Sequence, residues 1–318
     1  MFPRIAGEHI HLGYYTDEAR RGVGRMSIFR LTASSLCRLV QERARGYKKK
    51  DFKQAKLDFT DRMLAFAGAP SSPEAVLDVG CGIGGTTRHL ARTFGAATRL
   101  TGITLSPNQA ERATALASKA GLTNVKFEVM DALAMDFPDN TFDLVWACES
   151  GEHMPDKKKY VEEMTRVLKP GGTLVIATWC QRDAPPALTP QETEELRFLY
   201  EEWSHPYFIS IEEYGRLMSG TGAFESVHEE DWAKYTIPAW RHSVWAGVWD
   251  PWPVVARPGL WVKTVRDIYC LERMHRAFAK GLMKYGMLRG VKKAAGAGEA
   301  AALSVKSLPP ITSLLPTA

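Results

Sequence analysis

No run of about 18 apolar residues interrupts the 318-residue sequence, which excludes a membrane-spanning helix on length grounds. The N-terminus also lacks the charged-then-apolar order of a secretory leader, so a soluble or peripheral protein is expected. Cysteine is sparse: Cys37, Cys81, Cys148, Cys180 and Cys270 are scattered, odd in number and without a CxxC pair. That pattern argues for a reducing compartment and against a zinc site. Basic residues interleaved with exposed aromatics, or a recognisable reading helix, are missing too, and nucleic acid is therefore not an expected partner.

Ordinary globular values fill the rest, with 45% hydrophobic and 24% charged residues. The net charge of +5 is local, because the first sixty residues hold 13 Lys and Arg against 6 Asp and Glu. Arg20 to Gly68 reads as mostly helical, with Ile28, Leu31, Leu36, Leu39 and Val40 at helical spacing and basic residues between them. Two partners suit such a face: an anionic membrane surface or simply water.

From Val76 onward, short β-branched runs alternate with amphipathic helical stretches, the signature of a parallel α/β sheet. Strands are expected at Ala75–Val79, Arg99–Ile103, Val125–Met130, Phe142–Ala147 and Thr173–Thr178, with returning strands near Phe224–Glu230 and Leu282–Arg289. Met154-Pro155-Asp156 should open a helix with proline in its first turn, and Lys169-Pro170-Gly171-Gly172 should close it. Three regions follow: an N-terminal lid and basic helical segment over 1–70, a catalytic domain over 71–293 with a cap at about 185–280, and a flexible Ala, Gly, Ser and Pro tail over 294–318.

The run Val76-Leu77-Asp78-Val79-Gly80-Cys81-Gly82-Ile83-Gly84-Gly85 takes a strand through a glycine turn into a helix near Thr86. Glycines let the backbone turn tightly and a ligand approach, while the first amides of the helix face an anionic or carboxylate-bearing group. Gly80, Gly82 and Gly85 formally satisfy GxGxxG, but a nicotinamide site usually places an acid about 20 residues on. Here the second strand ends Thr101-Gly102-Ile103-Thr104-Leu105-Ser106-Pro107, without one.

The sequence resembles the class I methyltransferases, and within them the γ-tocopherol methyltransferase family and its plant N-methyltransferase relatives. The resemblance rests on DVGCGIGG (78–85), GITLSPNQAERA (102–113), DALAMDFPDNTFDLVW (131–146), ESGEHMPDKKKYVEEMTRVLKPGG (149–172) and TWCQRD (178–183). It implies a Rossmann-like seven-stranded, mostly parallel sheet with helices on both faces, an aromatic substrate cap, and S-adenosyl-L-methionine as cofactor. By resemblance Asp78, Gly80, Cys81, Gly82 and Gly84 surround the methionine part, Thr104, Leu105 and Gln109 meet the ribose, and Asp131 with Ala132 meets the adenine. The physics agrees: a neutral Gln can donate and accept to a diol, and a carboxylate suits an exocyclic amine.

Ala147-Cys148-Glu149-Ser150-Gly151-Glu152-His153-Met154 follows the fourth strand and should line the reacting space, since ligands bind beyond the carboxyl ends of parallel strands. Methyl transfer needs alignment and exclusion of water more than a strong base. A phenol with a pKa near 10 nevertheless benefits from a nearby acceptor, and Glu149, Glu152 and His153 are the candidates. Trp179 and Cys180, just past the fifth strand, are expected on the same rim. Gly7 to Tyr15 resembles the family's segment that folds over the cofactor; its His9 and His11 lack a third ligand at matching spacing, and no metal is expected.

The acceptor implied is a small amphipathic aromatic with a prenyl tail, sheltered by a cap holding Trp232, Trp240, Trp245, Trp249, Trp252 and Trp261. The alternative is a small amine or indole alkaloid held by an acid such as Glu229, Glu230 or Asp231. A plastid membrane surface is implied for a photosynthetic eukaryote, and the cytoplasm otherwise. The sequence is silent on oligomeric state.

Overall fold

The computed structural model describes residues 12–15, 52–203, 205–249, 259 and 261–294. The basic stretch from Arg20 to residue 51, the histidines at His9 and His11, and the tail from residue 295 lie outside these. Seven strands form one sheet in the order β3-β2-β1-β4-β5-β7-β6. They are β1 (Ala75–Val79), β2 (Arg99–Thr104), β3 (Val125–Val129), β4 (Phe142–Cys148), β5 (Leu168–Gln181), β6 (Phe224–Asp231) and β7 (Met283–Lys292). Only β7 runs against its neighbours, pairing antiparallel with β5 and β6. The seven-stranded, mostly parallel sheet expected from the sequence is thus present.

Eight helices are among the described residues: α1 (Phe52–Ala67), α2 (Gly85–Phe94), α3 (Pro107–Lys119), α4 (Lys157–Val167), α5 (Pro190–Trp203), α6 (Ile211–Gly220), α7 (Ala233–Trp249) and α8 (Trp261–Ala279). Pro155 does not lie in the first turn of α4, as its sequence position suggests. Asp156 is the cap, accepting from the Lys159 amide at 2.9 Å, and the proline precedes it. Lys169 to Gly172 bulges from the ladder, since Phe142 pairs with Leu168 and Leu144 with Thr173, and β5 continues to Gln181.

Alternation along the strands divides the core. Val76, Leu144, Trp146, Val175, Ala177 and Trp179 pack on one face with α1, α7 and α8. Leu77, Val145, Ala147, Leu174, Ile176 and Cys180 pack on the other with α4 and α6. Successive residues of one strand point to opposite faces, so Trp179 and Cys180 do not share a rim: Trp179 faces the cavity described below and Cys180 is buried beneath the sheet. The strand order reverses between β1 and β4, which opens a crevice at their carboxyl ends.

Candidate active site

That crevice is a cavity of about 490 Å³ with two halves. The first is built on the β1 to α2 turn. Gly80, Gly82 and Gly84 all adopt positive φ (80°, 55° and 70°), which lets the chain leave β1 and enter the helix within a few residues. Gly84 is the N-cap of α2 and supplies no side-chain cap, leaving the first-turn amides open toward Gly85 and Thr86 on the cavity wall. Gly84 itself is not on that wall; a Cβ there would meet the Phe127 ring at 2.4 Å, so its place is a packing contact. Asp78 is buried on the wall, accepts a 2.6 Å bond from the Thr87 hydroxyl, and is driven up to about 6 by burial against that bond.

Cys81, Thr104, Leu105, Gln109 and Ala132 line the same half. Thr104 Oγ1 donates to Gln109 Oε1 at 2.8 Å, which orients the amide and leaves its NH2 for a ligand. Leu105 is 67% exposed, unusual for leucine and suited to covering a flat or sugar-bearing group. Asp131 is exposed between the wall residues Met130 and Ala132, with Oδ1 accepting from the Leu133 amide at 2.9 Å.

The second half gathers residues from distant parts of the chain. Glu149 follows β4 with a positive φ of 50°, a strained backbone for glutamate, held where its amide donates to the Ala177 carbonyl at 2.8 Å. Glu149 Oε1 accepts from the Leu12 amide at 2.9 Å and the Tyr285 hydroxyl at 2.8 Å. The Trp179 indole N–H lies toward this carboxylate without completing a hydrogen bond. Desolvation raises the Glu149 pKa, opposed by the Leu12 and Tyr285 bonds and by the nearby Lys56 cation.

Glu152, in the 3₁₀ turn Gly151–His153, is only 1% exposed. Its Oε2 accepts from the Thr178 hydroxyl at 2.8 Å, and its Oε1 has no partner among the described residues. Burial first, and the neighbouring Glu149 second, push it up to about 8. Burial thus raises both carboxyls, and the Glu149 charge raises Glu152 further. Two lysines frame them. Lys56 is lowered to about 8 by burial, and Lys157, likewise lowered to about 8, donates to the carbonyls of Gly151, Glu152 and Met154 at 2.7 to 3.2 Å.

His153 is exposed at the cavity edge, its ring 4.5 Å from that of His205, and desolvation with the Lys157 charge lowers its pKa. The chamber wall opposite is aromatic, with Trp179, Trp203 and Trp240 in edge-to-face contacts at centroid distances of 5.0 to 6.2 Å. Trp232 packs instead on Tyr14 and Phe59, and Trp261 is exposed. Trp252 and the side chains of Trp245 and Trp249 lie outside the described set. The acids considered as amine anchors do not enter the cavity: Glu229, Glu230 and Asp231 are exposed on edge strand β6, where Glu230 takes the Trp232 indole and Asp231 takes Lys284.

A family profile described as a methyltransferase domain matches residues 76–172, from β1 through the glycine bulge of β5. The chain is 40% identical to 2-methyl-6-phytyl-1,4-hydroquinone methyltransferase of Synechocystis sp., over 90% of this chain and 82% of that protein. It is 34% identical to the chloroplastic tocopherol O-methyltransferase of Arabidopsis thaliana, over 91% of this chain and 77% of the relative. The chain belongs to the tocopherol methyltransferase family. Its fold also matches a geranyl diphosphate C-methyltransferase of Streptomyces coelicolor, with a TM-score of 0.63 at 19% identity over 89% of this chain and 91% of that one.

The enzyme is an S-adenosylmethionine-dependent methyltransferase, and the first half of the cavity fits that cofactor. Uncapped amides at α2 suit its carboxylate, buried Asp78 suits its ammonium, the Gln109 amide suits a ribose diol, and exposed Leu105 offers an apolar face.

Three chamber residues escape sequence reasoning, Lys56, Trp203 and His205, whereas Leu12 falls in the lid segment and Trp240 in the cap that the sequence indicates. None of the three lies in a motif run. Lys56 belongs to the stretch read as a basic outward face, yet it is 1% exposed and turned toward Glu149. The only available signal was its place beside the apolar positions Ala55 and Phe59, both buried in the core.

Proposed function

We propose that the enzyme methylates a ring carbon of a prenylated phenol or quinol, of which γ-tocopherol is the type. The observation that carries this reading is the acceptor half itself, a chamber lined by three indoles and by the carboxyls of Glu149 and Glu152. An aromatic head packs against Trp179, Trp203 and Trp240, with its reacting ring carbon toward the carboxyls. The 40% identical relative that bears a phytyl hydroquinone in its name supports the same class.

S-adenosylmethionine, when bound, supplies a methyl group activated by positive sulfur. The chain supplies the remainder. Walls from β1, β4, β5, α7 and α8 hold the acceptor in line and exclude water, which turns a bimolecular encounter into a local one. Glu149, kept toward its ionised form by the Leu12 amide, the Tyr285 hydroxyl and Lys56, accepts the proton that the acceptor releases. Glu152 remains the protonated partner of the pair, and His153 borders the head group. Glu149→Gln is expected to lower kcat by about 10² to 10⁴ fold while S-adenosylhomocysteine affinity is retained, checked by steady-state kinetics and calorimetry.

Among the described residues no helix is long and apolar enough to cross a membrane. A prenylated acceptor would be drawn from a lipid surface, and the basic stretch before residue 52 is the segment we assign to that contact. The deciding experiment is transfer of labelled methyl from S-adenosylmethionine into γ-tocopherol, δ-tocopherol, a prenylated quinol, sarcosine and an indole alkaloid. Label in the phenols or the quinol supports the reading; label confined to amines overturns it.

A further inference from the structure

We infer that His205 receives the hydroxyl of the acceptor's aromatic head as a neutral hydrogen-bond partner and so determines specificity for hydroxyl-bearing rings, an inference that rests on the function proposed above. His205 lies in the extended stretch between α5 and α6 and reaches the cavity because Trp179 and Phe208 pack on its ring at centroid distances of 5.3 and 5.2 Å. It is 6% exposed, yet its Nδ1 has no hydrogen-bond partner among the described residues. A buried imidazole nitrogen without a partner is rare in folded proteins, and one on the wall of a substrate chamber marks where a ligand's polar atom belongs.

The pattern is not confined to one atom. Buried side-chain nitrogens and oxygens without partners concentrate in this chamber: Glu152 Oε1, His205 Nδ1 and the indole N–H groups of Trp179, Trp203 and Trp240. Elsewhere among the described residues only Trp146 Nε1 and the Tyr214 hydroxyl share that state. Indole N–H groups donate only, whereas a neutral imidazole offers one N–H and one lone pair. A hydroxyl oxygen can take an indole N–H while its proton goes to the imidazole; an ether keeps only the first interaction and a bare ring neither.

The charge state fits the assignment. Burial, the His153 ring and the Lys157 cation lower His205 to about 3, so it stays neutral across physiological pH. Lys157 is fixed in place by its three carbonyl acceptors and cannot turn away to admit a second positive charge. Glu149 and Glu152 are the acidic groups lining the chamber, with Lys56 beside them; a phosphate-bearing acceptor would face that carboxyl pair, and a cationic amine would meet nothing anionic at His205.

The test is a comparison of ligand and residue together. γ-Tocopherol and its O-methyl ether are bound to the full chain saturated with S-adenosylhomocysteine, in the wild type and in His205→Phe, which keeps an aromatic ring without nitrogens. The wild type is expected to favour the phenol over the ether about tenfold, and His205→Phe is expected to bind the two alike. His205→Asn, which restores a donor and an acceptor, should recover part of the preference. With γ-tocopherol as acceptor, KM of the Phe variant should rise about tenfold while kcat changes less than about threefold. If the Phe variant does not fold, His205→Leu replaces it against His205→Asn. Full retention of the preference in the folded apolar variant overturns the role of His205 alone. A wild type that methylates none of the phenols or quinols overturns the substrate reading, and this inference with it.

Discussion

Glu149 and Glu152 stand three residues apart, but their surroundings set them on different courses. Glu149 accepts two hydrogen bonds at one oxygen and has a lysine nearby, while Glu152 has a single hydroxyl donor and an empty second oxygen. Tyr285→Phe removes one of the bonds that favour the Glu149 carboxylate, so the acidic limb of the kcat/KM profile should move to higher pH. An unchanged profile in that variant argues against Glu149 as the proton acceptor.

Stability carries a second signature of the pair. Glu152 rises from 4.5 in its unperturbed state to about 8 in the fold, so the folded protein holds a proton that the unfolded chain gives up. Its contribution is favourable below pH 4.5 and is lost as pH rises toward 8. Glu152→Gln should therefore gain in stability relative to wild type between about pH 5 and about pH 8, read as a change in the gap between their urea midpoints. Lys56 and Lys157, lowered from 10.5 to about 8, act with opposite slope at higher pH and leave this window clear.

At the scale of elements, the turn from β1 to α2 couples cofactor to packing. Gly84 combines a φ of 70° with a Cβ position 2.4 Å from Phe127 on β3. Gly84→Ala is expected to cost about 2 to 4 kcal/mol by adding left-handed strain to overpacking. Chemical denaturation measures the loss directly; a variant as stable as wild type would mean that β3 yields easily.

The strands were legible because each combines β-branched residues with sharp punctuation, and β1 occupies the residues its pattern indicates. Punctuation also misled. Thr178 looks like the end of β5, and ending the strand there places Trp179 and Cys180 together on a loop. The strand persists to Gln181 because β7 pairs with it along its whole later half, a partner more than 100 residues away, and parity then separates the two side chains. Glu149, Glu152 and His153 could be found because a local run places them just beyond a strand end. His205 and Lys56 could not, because only tertiary packing delivers them to the chamber.

For the whole molecule, cofactor binding and folding are one linked equilibrium. S-adenosylhomocysteine at about 100 times its dissociation constant should stabilise the fold by about 2.7 kcal/mol, a rise in Tm of roughly 5 °C. NAD should produce no comparable rise, since no acid at the end of β2 receives its ribose. Equal shifts from the two ligands would reopen the reading of the glycine turn.

The Glu149 carboxylate is tied to Leu12, 137 positions before it, and to Tyr285, 136 positions after it. Nearly the full span of the described chain thus closes on a single oxygen atom. During synthesis the matched methyltransferase segment, residues 76–172, leaves the ribosome long before Tyr285 exists. A nascent chain can therefore assemble its cofactor turn while the Glu149 carboxylate still lacks its Tyr285 partner, and that site closes last, with the final strand of the sheet.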